Sequence, residues 1–374
     1  LILLIVLAAC QAARAGSGPL AGRAQQPVPL QTGEAAAPPE PYNPTPSMPA
    51  SLPGEAGSPD SEMTAPQPAR NAPGSEPPLR FTLPTPGPVP ISLWRPPLYE
   101  IPWALGPNDH FFFSRPIAAD EVNWPIADYR YGGIFFGSDI IHTGVDIPSP
   151  RNTPILAAAG GKVVWAGYGL FYGNDNPDDP YGLAVTIRHD FGYQGRRLYT
   201  VYAHMDAIKV VTGQEVQTGD VLGLVGTTGL TTGPHLHFEV RMERSSYFTT
   251  YNPELWMAPP QGWGVLVGRL HNENGSMLSR QDVTVRNLET RQKWVVRSYG
   301  EKAVNSDPYY NENLVLSDLP AGRYEVSLTY LDNDYSLQLD IYPGAISYFR
   351  FRGKLYFDTK LPAAPSIEQV LAEE

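Results

Sequence analysis

A single cysteine in 374 residues excludes an intrachain disulfide and any zinc site built from several thiolates. A metal bound by this chain needs histidine and carboxylate ligands instead. Basic residues are also scarce. With 27 Lys and Arg against 38 Asp and Glu the net charge is −11, which argues against nucleic acid as a partner. No long run has helical periodicity, so helices are not expected to carry the fold. Aromatic residues are nearly missing between Gln11 and Pro90, where Tyr42 and Phe81 stand alone. The stretch from Gln11 to Pro97 also holds 22 of the 40 prolines, with much Ala, Gly and Ser. It has too little apolar surface to offset its ordering entropy, so residues 11–93 are expected to form a disordered, extended tether.

What is present begins with an apolar run from Leu1 to Ala9, followed by Cys10. It is too short to span a bilayer but fits the apolar core of a secretion signal, with upstream residues expected in a precursor. Leu7-Ala8-Ala9-Cys10 resembles the bacterial lipobox, which implies cleavage before Cys10 and a lipid on its sulfur. An uncut N-terminal anchor helix is the alternative. Either reading places the protein outside the cytoplasm, in the cell envelope and held on a membrane.

Ordered structure is expected from about Trp94, where aromatics become dense. Short apolar runs then follow one another between turn signals: Lys162–Ala166, Leu183–Arg188, Leu198–Ala203 and Val221–Val225. Many short strands with Gly-rich turns predict an antiparallel, mainly β domain over residues 94–260. The loop from Gly173 to Pro180 carries Asp175, Asp178 and Asp179, but its spacing is not that of an EF-hand, so an exposed acidic loop is expected. Tyr251 to Trp263, rich in Pro and Trp, reads as a domain boundary. Regular short strands from Val265 to Phe351 predict a β-sandwich over residues 261–355, and 356–374 reads as a tail. Gly268-Arg269-Leu270, Leu319 to Tyr324 and Tyr342-Pro343-Gly344 give that part a resemblance to carboxypeptidase-regulatory-like sandwiches. Its expected role is an interaction or spacer module.

The chemistry-bearing residues fall in three runs. His142-Thr143-Gly144-Val145-Asp146 offers an imidazole and a carboxylate. His235-Leu236-His237 places two imidazoles on one strand face, with Leu236 and Phe238 facing the core. His204 sits in the run Val201 to Asp206, at the end of an expected strand. Zinc hydrolases use three His or carboxylate ligands and keep one position open. Of the seven histidines, His271 is expected in a solvated turn, and His110 is expected to be incidental.

These runs, in this order, resemble the lysostaphin/LytM-type zinc metalloendopeptidases. The resemblance covers about Gly132 to Arg241, including Gly219 to Gly223 and Gly229 to Glu239. It implies one zinc ion per peptidase domain, held by His142, Asp146 and His237. It also implies that His204 and His235 are catalytic, handling protons and stabilising the oxyanion, and that the substrate is peptidoglycan peptides. His189 is read as structural. Tyr129 and Tyr131 lie where some members have a tyrosine, but their spacing assigns them no role. Relatives that have lost the chemistry act as wall-binding or amidase-activating modules and typically lack zinc ligands. This chain keeps all five groups, which favours an enzyme.

Overall fold

The computed structural model of the chain describes residues 97–118, 129–134, 141–300 and 304–363. The expected signal and tether, Trp94 and the last eleven residues lie outside the described residues. All described residues fall in one compact unit, Ala72–Glu374. Among them, regular structure consists of strands and short 3-10 turns. The mainly β expectation holds.

Nine strands form the first sheet: β1 (Val145–Pro148), β2 (Pro154–Leu156), β3 (Gly161–Gly167), β4 (Leu183–Tyr193), β5 (Arg196–Ile208), β6 (Glu215–Val216), β7 (Val221–Val225), β8 (His235–Met242) and β9 (Thr250–Tyr251). Its main path runs β1-β8-β5-β4-β3-β6; β7 pairs with β2 and β5, and β9 pairs with β8. Every pairing is antiparallel. β8 shows why the sequence folds this way. Leu236, Phe238, Val240 and Met242 alternate along it and enter the main apolar cluster. The opposite face is left to His235, His237, Glu239 and Arg241.

Eight further strands make two four-stranded sheets: β10 (Trp263–His271), β11 (Asp282–Asn287), β12 (Lys293–Arg297), β13 (Leu314–Pro320), β14 (Gly322–Tyr330), β15 (Asn333–Ile341), β16 (Ile346–Arg352) and β17 (Tyr356–Asp358). One sheet has the order β13-β10-β16-β17, the other β12-β11-β14-β15. Their inner faces share one apolar cluster. β10 and β16 run parallel, in register from Val265 against Ile346 to His271 against Arg352.

Four sequence expectations change here. First, the segment Tyr251 to Trp263, expected as a domain boundary, is packed: Leu255, Trp256, Met257 and Ala258 are buried, and Phe113 brackets them through backbone hydrogen bonds to Trp256 and Ala258. β10 explains the continuity. Its Val265 and Val267 join the cluster that holds Leu236 and Phe238, while Leu266 and Leu270 join the cluster of the double sheet. Its near-continuous apolar run reflects burial on both faces. Second, Tyr356–Asp358 pairs with β16 rather than starting a tail. Third, His271 ends strand β10 and is half-buried. Fourth, Asp179 is fully buried in its acidic loop, accepting hydrogen bonds from the backbone amides of Phe171, Tyr172 and Tyr181; Asp175 and Asp178 are exposed.

Candidate metal centre

Three neighbouring segments build the site. Asp146 on β1 lies directly opposite His237 on β8, so the two side chains share a face. His142 precedes β1 and folds back toward both. Gly144 lies between them, and only a residue without a side chain fits there: a Cβ would lie 2.4 Å from the Phe238 carbonyl oxygen.

The result is a tight convergence of ligand atoms. His142 Nε2 lies 2.9 Å from Asp146 Oδ1 and 3.0 Å from His237 Nδ1, and His237 Nδ1 lies 2.9 Å from Asp146 Oδ1. All three residues are buried. Among the described residues, this is the set whose ligand atoms, all within 4.8 Å of one another, could hold a metal ion. The outward ring nitrogens are engaged as in a metal site. His142 Nδ1–H donates to the Arg130 carbonyl at 3.1 Å, and His237 Nε2–H donates to Glu239 Oε1 at 3.1 Å. Such outer partners fix the ring and leave the inner nitrogen free to ligate. Three lone-pair atoms this close repel unless a cation or proton sits among them, so the donor set fits a divalent ion with His and carboxylate preference.

His204 and His235 stand beside this set. Strict alternation would place His204 on the face opposite Ala203, which pairs with His237. A bulge intervenes: Ala203 and His204 together face Ala184 alone on β4, and His204 has a left-handed φ of 61°. The kink brings its ring to 4.8 Å from that of His235 and 5.6 Å from that of His237, centre to centre. His204 Nδ1–H donates to the Thr228 carbonyl and His235 Nδ1–H to the Gly233 carbonyl, each at 2.8 Å. Each Nε2 therefore carries a lone pair. His235 Nε2 is 3.5 Å from Asp146 Oδ2.

The electrostatics separate the histidines. Burial, with His237 and His235 nearby, pulls His204 down to about 3. Burial also lowers His235. His237 goes the other way: burial disfavours its charge, but hydrogen bonds to Asp146 and Glu239 outweigh that and raise it to about 9. Burial raises the Asp146 carboxyl, yet His142 and His237 hold it well below the usual carboxylate range.

Three groups around Glu239 carry no role in the sequence reading. Glu239 is fully buried and accepts from Thr143 Oγ1 at 2.6 Å, Tyr181 OH at 2.7 Å and Arg241 Nε at 2.6 Å, besides His237. Burial would raise its pKa; Arg241 and His237 bring it down to about 2. Arg241 also donates to Tyr181 OH at 2.9 Å. The signal was available: Glu239 and Arg241 continue the i, i+2 face of His235 and His237.

Other histidines lie elsewhere. His189 is buried, with Nδ1–H donating to the Gly160 carbonyl and Nε2 near Thr200 Oγ1. His110 is buried against Trp256 and Tyr193, 3.3 Å from Asp307. Expected to be incidental, it is a fully buried packing residue. Tyr129 is partly exposed and its backbone pairs with Asp146, whereas the Tyr131 side chain is buried.

Comparison with known proteins bears on the segment that carries the site. Residues 140–249 match the model of Peptidase family M23. The chain carries a peptidase M23 domain. Over 102 residues it is 41% identical to the DD-carboxypeptidase/endopeptidase Mpg of Neisseria meningitidis serogroup B, covering 27% of this chain and 20% of that protein. Over 98 residues it is 40% identical to the peptidoglycan DD-endopeptidase ShyC of Vibrio cholerae, covering 26% and 19%. The chain thus spans about a fifth of the length of these curated relatives. Among solved structures, the lysostaphin catalytic domain of Staphylococcus simulans aligns with a TM-score of 0.30 and 28% identity, covering 34% of this chain and 89% of that one. The M23 match contains all five histidine and aspartate groups of the site.

Proposed function

We propose that the M23 domain is a zinc-dependent endopeptidase that hydrolyses peptide bonds of peptidoglycan outside the cytoplasm. The observation that carries this reading is the convergence of His142 Nε2, Asp146 Oδ1 and His237 Nδ1 beside two neutral imidazoles. His142, Asp146 and His237 would hold the ion. Zinc bound there supplies a Lewis acid that polarises a carbonyl and acidifies water to a pKa of about 7.

The remaining chemistry belongs to the side chains. His204 Nε2 and His235 Nε2 have lone pairs and lie on the same side of the ligand set, so the pair accepts a proton from the attacking water and returns one to the leaving amine. After protonation, either imidazolium donates a hydrogen bond to the developing oxyanion. The Thr228 and Gly233 carbonyls fix both tautomers. Glu239 orients His237, and Arg241 keeps Glu239 ionised.

The peptidoglycan assignment is supported by the names of the relatives at 40% and 41% identity. Residues 1–10 support lipid or helix anchoring to a membrane, and residues 11–93 the reach from membrane to wall; both lie outside the described residues. The test is cleavage of defined muropeptides by the full chain. Chelation should abolish fragment release and zinc should restore it, while His204→Ala and His235→Ala should bind zinc without turnover. Wall binding by metal-free protein with no fragments at any zinc concentration would favour a non-catalytic module.

A further inference from the structure

Two of the three ligand-bearing residues are held by one short segment, residues 129–134. Its backbone pairs with theirs: Gly132 N–H donates to the His142 carbonyl and His142 N–H to the Gly133 carbonyl, each at 2.8 Å, and Asp146 N–H donates to the Tyr129 carbonyl at 2.9 Å. The Arg130 carbonyl receives the His142 ring N–H. Displacement of this segment therefore displaces both a ligand ring and a ligand backbone.

The other side of the segment is gripped by residues beyond the M23 match. Tyr131 OH donates to the Thr250 carbonyl at 2.7 Å and accepts from Asn305 N–H at 2.9 Å. The Tyr131 ring stands edge-on to Tyr299, with centroids 5.2 Å apart. Gly132 has a left-handed φ of 77°, and a Cβ on it would lie 2.2 Å from the Tyr299 Cβ. Tyr299 is itself fixed by its hydroxyl, which donates to Glu312 Oε1 at 2.6 Å. The Arg130 guanidinium pairs with Glu254 Oε2, and that oxygen accepts both the amide and the hydroxyl of Ser317 on β13, at 2.8 and 2.7 Å.

We propose that residues 129–134 form a strap through which β13 and the connection between β12 and β13 set the geometry of the metal centre, with Tyr131, Tyr299, Asn305 and Ser317 as positioning residues. The proposal rests on the ligand assignment made above. Its logic is distance: the ligand atoms lie about 3 Å apart, and metal affinity is sensitive to partners that orient the ligands. β13 and the connection that precedes it thus act on the site through packing and hydrogen bonds to one segment, with no ligand of their own among the described residues.

The experiment measures Co(II) binding to the full chain at 25 °C by chelator competition and by the visible absorption of the bound ion. Tyr131→Phe removes the hydroxyl that joins Thr250 and Asn305 but keeps the ring. Gly132→Ala drives a methyl group into Tyr299. Both should bind Co(II) about tenfold more weakly or worse, with an altered spectrum. Leu328→Ala lies in the double-sheet core away from the strap; it should lower the thermal midpoint and leave affinity unchanged. Unchanged affinity in folded Tyr131→Phe overturns the proposal, as does equal weakening by Leu328→Ala. Should Gly132→Ala fail to fold, Tyr131→Phe decides alone. His237→Ala separates the two levels. If it binds Co(II) normally, the ligand assignment fails; if it loses the ion while the strap variants keep it, only the strap fails.

Discussion

β8 and β14 are strands of similar length that treat their second face in opposite ways. β14 alternates: Tyr324, Val326, Leu328 and Tyr330 are buried, and the residues between them reach toward solvent. β8 is buried almost throughout, yet every second residue is titratable. Burying an ion costs several kcal/mol unless it is paired and hydrogen-bonded. β14 avoids that cost; β8 accepts it and offsets it through the Glu239–Arg241 pair and the hydroxyls of Thr143 and Tyr181. A fold needs only the β14 pattern. The β8 pattern marks chemistry, and perturbed titrating groups collect there.

The contrast can be broken at the level of whole regions first. If the double sheet were a separate spacer, a chain ending at Pro260 would unfold cooperatively on its own. Because Val265, Val267, Val315 and Tyr348 complete the cluster containing Leu236 and Phe238, such a chain should lose its cooperative thermal transition altogether. Calorimetry of the truncated and full chains checks this.

A smaller effect probes the polar contact between regions. Arg115 pairs with Asp318 of β13, both buried. Arg115→Met leaves that carboxylate without its partner and should cost about 3–5 kcal/mol, read from chemical denaturation. A loss below about 1 kcal/mol would put the pair in the class of exposed ion pairs.

The mildest perturbation is pH. His237 is raised to about 9 in the metal-free site, so near neutrality a bound metal must displace a proton. Metal affinity should rise roughly tenfold per pH unit and level off near pH 9. The stabilising contribution of His237 to the metal-free fold has the opposite sign. Its folded pKa lies above the unfolded value of 6.5, so that contribution is complete below about 6.5 and lost as pH rises through about 9. Calorimetric titration and thermal melts across this window should move in opposite directions.

Much of the site was legible because the ligand residues lie in short runs whose spacing is a geometry. His235 and His237 share a face by strand period, and Leu236 and Phe238 are buried behind them. His204 was legible as a site residue but its means of arrival was not; a left-handed kink at a non-glycine residue leaves no mark in composition. The outer partners were missed for a related reason. Carbonyls of Arg130, Thr228 and Gly233 do the orienting, and a carbonyl has no residue type. The fold was legible strand by strand, since apolar runs such as Val221–Val225 coincide with β7. Pro and Trp between Tyr251 and Trp263 read as a domain boundary by composition, and composition does not show that Trp256 is fully buried there. Only tertiary packing distinguishes these cases.

The most direct test of the account is the metal content of the purified full chain and of single variants, by elemental analysis after zinc loading and desalting. About one zinc per chain is expected in the unmodified protein, in His204→Ala and in His235→Ala, with none retained by His142→Ala, Asp146→Ala or His237→Ala. Equal zinc in both groups of variants would contradict it.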